Sequence, residues 1–124
     1  MTGNSSNTSI SSIKPGEGYK KLIIWKNAEK LRSLIYQTTR RFKPIEFRRV
    51  TQMTDAARSV KQNIQEGYKC GSLGKYIQYL NISLGSLGEV KGNVGGGTTD
   101  YLINKMIKSM RQADKSSTWK NFNA

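Results

Sequence analysis

Between Arg40 and Arg49 five cations, Arg40, Arg41, Lys43, Arg48 and Arg49, face the lone carboxylate of Glu46. Guanidinium forks match phosphate oxygens two at a time and lysine adds a compact point charge, so this run is suited to holding a phosphate backbone. Lys20 and Lys21, with Lys26, Lys30, Lys105, Lys108 and Arg111, spread positive charge over other segments. The whole chain has the same bias: 21 Lys and Arg against 8 Asp and Glu give a formal charge of +13 over 124 residues. Such a surplus attracts polyanions and implies an acidic partner, with RNA or DNA the first expectation. Neutralising phosphates is indifferent to base sequence and falls steeply with salt. The competing reading is a solvated helix end, in an oligomeric protein-interaction scaffold that binds no nucleic acid.

The residues that usually carry catalysis are scarce. There is no histidine, which removes the usual general base, the commonest metal ligand and every Ser-His or Cys-His pair. Cys70 is the one cysteine, so neither an internal disulfide nor a cysteine-rich zinc site can form, and the usage fits a reducing compartment. Gly71-Ser72-Leu73-Gly74-Lys75 resembles a phosphate loop, but that motif needs a glycine five places before Gly74 and a Ser or Thr after the lysine, where Lys69 and Tyr76 stand. Asn63 and Glu66 lie at helical spacing and could join a metal or acid–base site if subunits converged; a cap or ion pair is the simpler reading. Trp25, Tyr36, Tyr68, Tyr76 and Tyr79 could stack on unpaired bases, although aromatics at helical spacing fit a core or a subunit interface better. No enzymatic activity, cofactor or metal is expected.

The elements that must position these residues read as helices. Residues 1–18, rich in Ser, Thr, Asn and Gly, hold too little apolar surface to offset ordering and are expected to form a flexible leader. From Tyr19 an apolar stripe runs through Ile24, Ala28, Leu31, Ile35, Thr38 and Phe42, in the steps of three and four that keep one helix face. Lys43-Pro44 breaks it. The stripe resumes at Val50, Met53, Ala57, Val60 and Ile64 and ends near Gly67, with Glu46 at the positive start of this second helix. A third segment carries Leu73, Ile77, Leu80, Leu84 and Leu87, and Gly85, Gly88 and Gly92 weaken it or admit a close neighbour. After Gly95-Gly96-Gly97, a fourth continues through Thr99, Ile103, Met106, Met110 and Ala113, with Thr98, Thr99 and Asp100 offering cap chemistry. Residues 115–124 are expected to be a loose tail on which Trp119 and Phe122 could dock on a neighbour.

Four amphipathic segments with short links and almost no strand alternation predict an all-α fold, an antiparallel up-down-up-down four-helix bundle over residues 19–114. No stretch approaches the roughly 18 to 20 apolar residues that span a bilayer. With no charged start and apolar core of a signal peptide, a cytoplasmic location without membrane contact is expected.

Asn63-Ile64-Gln65-Glu66-Gly67-Tyr68, followed by Tyr76-Ile77-Gln78-Tyr79-Leu80-Asn81-Ile82-Ser83-Leu84-Gly85-Ser86-Leu87-Gly88-Glu89, resembles the four-helix-bundle family named for proteins encoded in intervening sequences of 23S ribosomal RNA genes. Tyr19, Leu22, Trp25, Ala28 and Tyr36 are similar to the aromatic, leucine, tryptophan, small residue and tyrosine of that family's first helix. The resemblance covers roughly residues 19–94 and implies a bundle that closes into a homopentameric ring without enzymatic activity. A related branch, the accessory proteins of diversity-generating retroelements, is similar in fold and basicity, which implies a reverse transcriptase as a further partner. Two departures stand out. Lys61-Gln62 occupies the place of a family proline, so the kink it would cause in helix two is not expected. Val94-Gly95-Gly96-Gly97-Thr98 replaces a polar tip, so the hairpin between helices three and four looks shortened.

Overall fold

A computed structural model of the chain describes residues 15–113. Residues 1–14 and 114–124, and with them Trp119, Phe122 and most of the expected leader, lie outside the described residues. Four helices follow a short 3-10 turn at Gly18–Lys21: α1 (Ile23–Thr39), α2 (Phe47–Lys69), α3 (Leu73–Lys91) and α4 (Gly97–Ala113). A second 3-10 turn, Pro44–Glu46, leads into α2, and no strand occurs among the described residues. The all-α four-helix architecture is as the periodicity predicts. Side-chain contacts give the directions: Trp25 near the start of α1 meets Gln65 near the end of α2, and Gly67 near the end of α2 lies against Tyr76 and Tyr79 in the first turns of α3. Each helix packs on its sequence neighbours and α4 closes against α1, with α2 and α3 the most extensively packed pair.

In α1 the core stripe of Ile24, Ala28, Leu31 and Ile35 is fully buried. The stripe then continues to Thr39 and not to the expected Thr38, which is exposed. The step from Ile35 is four residues, and the buried Thr39 hydroxyl is satisfied within the helix by donating to the Ile35 carbonyl at 2.9 Å. Phe42 lies beyond the helix and packs from the turn against the core. In α2 Met53, Ala57, Val60 and Ile64 are buried as expected, joined by Ala56, while Val50 is half-buried. The helix runs unbroken through Lys61-Gln62.

The largest difference from the periodic reading is in α3. Leu80 and Leu87 are buried, but Leu73, Ile77 and Leu84 are only half-buried, and the core face is Tyr76, Leu80, Ser83, Leu87 and Val90. A small polar residue holds the centre of that face. Buried Ser83 donates to the Val60 carbonyl at 2.9 Å, and the Ser86 and Ser59 hydroxyls meet at 3.0 Å. Hydrogen bonds to α2 let serine occupy a position that hydropathy assigns to leucine. The close approach expected of Gly85, Gly88 and Gly92 occurs instead at Gly67 of α2. A Cβ there would stand 2.8 Å from the Tyr79 Cβ, whereas nothing lies within 4 Å of one built at Gly85 or Gly88.

The α3–α4 link turns through Gly96 and Gly97 at φ of +95° and +81°, a region open to glycine at little cost. Lys91 ties the two helices by reaching Asp100 at 3.2 Å and Asn104 at 2.8 Å. In α4 Ile103, Met106 and Met110 are buried together with Leu102, and Thr99 is half-buried; Ala113 lies outside the described side chains. Among the described residues no helix is long and apolar enough to cross a membrane.

Candidate nucleic-acid interface

The basic run folds into one corner, because Lys43 is extended before Pro44 and the 3-10 turn reverses the chain between α1 and α2. Arg40 caps the C-terminal end of α1, where the helix dipole favours a cation. Arg41 and Lys43 follow in the turn, and Arg48 stands in the first turn of α2. All four are exposed, and none has an ion pair among the described residues.

Arg49 has a different role. Its guanidinium meets Glu46 at 2.9 Å, donates to the Asn93 carbonyl at 2.7 Å and lies 4.8 Å from the centre of the Phe42 ring. It clamps the corner to the end of α3, and in doing so it takes up the only acid of the run. The net charge of the corner is therefore displayed by Arg40, Arg41, Lys43 and Arg48.

Lys20 and Lys21 are not brought to this corner. They precede α1, whose 17 residues put about 25 Å between its ends. Lys20 pairs with Glu17 at 3.2 Å, while Lys21 is exposed. Two further lysines there cover aromatic faces: Lys69 lies 5.4 Å over the Tyr19 ring and Lys61 lies 5.4 Å over Trp25. Lys61 also meets Glu29 at 3.2 Å. Lys26 and Lys30 on α1 and Lys105, Lys108 and Arg111 on α4 are exposed on neighbouring helices. Other pairs join Arg58 to Asp55 and Lys91 to Asp100. These pairs engage only Lys20, Arg49, Arg58, Lys61 and Lys91, so with 21 Lys and Arg against 8 Asp and Glu most of the positive field stays in place.

The aromatics separate by position. Tyr76 is fully buried, and burial, with Tyr68 adding to it, holds its hydroxyl above the ordinary tyrosine range. Trp25, half-buried, donates its indole N–H to Gln65 at 2.8 Å and meets Tyr19 edge-on at 5.6 Å. Tyr68 and Tyr79 are half-buried. Tyr36, read from its spacing as a packing residue, is 66% exposed and outside the core of the single chain. Its side chain borders an open groove of about 360 Å³ between α1 and α2, shared with Arg32, Arg40 and Arg58. Reading the periodicity one step further would have found it: Tyr36 follows the buried Ile35 and so leaves the core stripe, with Arg32 and Arg40 one turn to either side.

Within the single chain Asn63 donates its amide to the Ser59 carbonyl at 2.8 Å, and Glu66 is exposed with no ion pair among the described residues. Cys70 is free and exposed beyond the end of α2. Among the described residues no group of three or more acids or cysteines could hold a metal ion. Residues 20–116, over three quarters of the chain, match the family model described as 23S rRNA-intervening sequence protein. No curated protein and no solved structure matches the chain.

Proposed function

We propose, since this chain belongs to the 23S rRNA-intervening sequence protein family, that it works as a non-enzymatic basic bundle that holds RNA or DNA through phosphate contacts with little sequence preference. One observation carries the reading: Arg40, Arg41, Lys43 and Arg48 share one corner and none has an ion pair among the described residues, because Arg49 occupies Glu46, the one acid of that run. Displaying four cations this closely raises repulsion within the chain, and a polyphosphate relieves it. Assembly into a homopentameric ring would repeat the corner around an axis and multiply weak contacts through effective concentration. A cytoplasmic complex with a reverse transcriptase, which the ring would help to engage its template, is the physiological setting we propose.

A second reading has its own observation. Ile45 is 86% exposed and Phe47 67% exposed in the same corner, an apolar pair that suits a protein partner and an interaction scaffold without nucleic acid. The two readings separate in a titration of labelled single-stranded RNA and duplex DNA against wild type and Arg41→Gln/Lys43→Gln/Arg48→Gln. Phosphate binding predicts that the triple variant binds every sequence more weakly and that its salt slope is shallower by roughly two. Equal affinity and slope in both proteins would remove the corner from the reading. No binding by wild type near 50 mM salt would leave the scaffold.

A further inference from the structure

We infer that the groove between α1 and α2 is a single-strand site, in which an unpaired base stacks on Tyr36 while Arg32, Arg40 and Arg58 hold the flanking phosphates. The inference rests on the nucleic-acid reading above and adds to it a preference for unpaired strands. Arg32, Tyr36 and Arg40 lie one turn apart on α1, about 6 Å per step along the axis, so a cation stands to either side of the ring. Arg58 faces them from α2 and completes the rim.

The floor has no polar demand of its own. The Thr39 hydroxyl is spent on the Ile35 carbonyl and the Thr54 hydroxyl on the Val50 carbonyl, each at 2.9 Å; Val50 and Ala57 supply the apolar remainder. A groove of apolar floor, aromatic wall and arginine rim is chemically matched to a flat ring carried on a phosphate chain. Neither nearby carboxylate opposes this. Glu29 is engaged by Lys61, and Asp55 holds Arg58 at 3.4 Å with both side chains more than half exposed, a contact that a phosphate readily displaces. Tyr36 has no side-chain hydrogen bond among the described residues, so its ring is not committed to the fold. Arg40 also belongs to the corner, and with Gln37 and Arg41 it lines an adjoining depression, so a strand leaving the groove passes directly to Arg41.

The test compares wild type, Tyr36→Ala and Tyr36→Phe, with helicity checked by circular dichroism, on an oligouridine of roughly a dozen nucleotides and on a DNA duplex. Stacking predicts that Tyr36→Ala binds oligouridine about tenfold more weakly, that Tyr36→Phe restores wild-type affinity because the ring suffices, and that duplex binding is unchanged in both. Wild-type affinity of Tyr36→Ala for oligouridine, with salt-dependent binding retained, overturns the groove and leaves the phosphate reading standing. Equal weakening on both ligands overturns the single-strand preference. A change in assembly mass with Tyr36→Ala, without loss of oligouridine affinity, makes the groove a contact between copies and overturns the inference. Failure of wild type to bind either ligand overturns both readings together.

Discussion

Arg49 and Arg48 are neighbours in sequence with opposite duties. Arg49 divides its donors between Glu46 and the Asn93 carbonyl and covers Phe42, so Arg49→Gln is expected to lower stability by ~1 kcal/mol, seen as a melting temperature lower by about 4–8 °C. Arg48→Gln should leave the melting temperature in place and weaken only phosphate binding. The reverse pattern would assign the clamp to the wrong residue. Tyr76 gives a pH prediction. Its folded pKa is raised, so the protonated hydroxyl favours the folded state; that contribution is complete below the unfolded value of about 10 and is lost as pH rises from there toward the folded value. Thermal melts above pH 10 are expected to fall more steeply for wild type than for Tyr76→Phe. Parallel pH profiles would show that the hydroxyl titrates alike in both states. Of the residues proposed to contact phosphate, the corner was legible because charge is written directly in the sequence. Arg49's withdrawal was not, since its partner Asn93 is 44 positions away.

The α2–α3 pair is where packing is tightest. Gly67 sits where any Cβ would press on Tyr79, so Gly67→Ala must part the helices locally and is expected to cost about 1–3 kcal/mol by overpacking. Gly88→Ala, with open space around it, should be neutral or stabilising by up to about 1 kcal/mol through helix propensity. Chemical denaturation of the two variants checks both signs. The contrast explains what the sequence could and could not yield at this scale. Four helices and most of their buried residues followed from spacing alone, because Ile24, Ala28, Leu31 and Ile35 or Met53, Ala57, Val60 and Ile64 are apolar at every turn. The α3 face was misplaced because its centre is Ser83, whose burial depends on the Val60 carbonyl across the interface. Spacing along one helix contains no information about a hydrogen bond supplied by another. For Tyr36 spacing left core, subunit interface and base stacking open; one place off the stripe, it lies outside the core of the single chain and faces solvent.

At the scale of the whole molecule the acids of the described chain are largely occupied. Glu17, Glu29, Glu46, Asp55 and Asp100 each hold one cation, and the remaining lysines and arginines give the bundle its field. They are not gathered on one face: the corner stands at one end of α1, Lys20 and Lys21 at the other, and the α4 cations alongside. A distributed field of this form favours binding to backbone over reading of bases. It also makes the proposed ring consequential, because assembly decides which of these patches lie together. The most direct measurement is the affinity for oligouridine as salt rises from roughly 50 to 200 mM. Four unpaired corner cations predict that log K falls linearly with log salt with a slope of about −3 or steeper. Binding that ignores salt, or no binding at the low end of that range, would contradict the account.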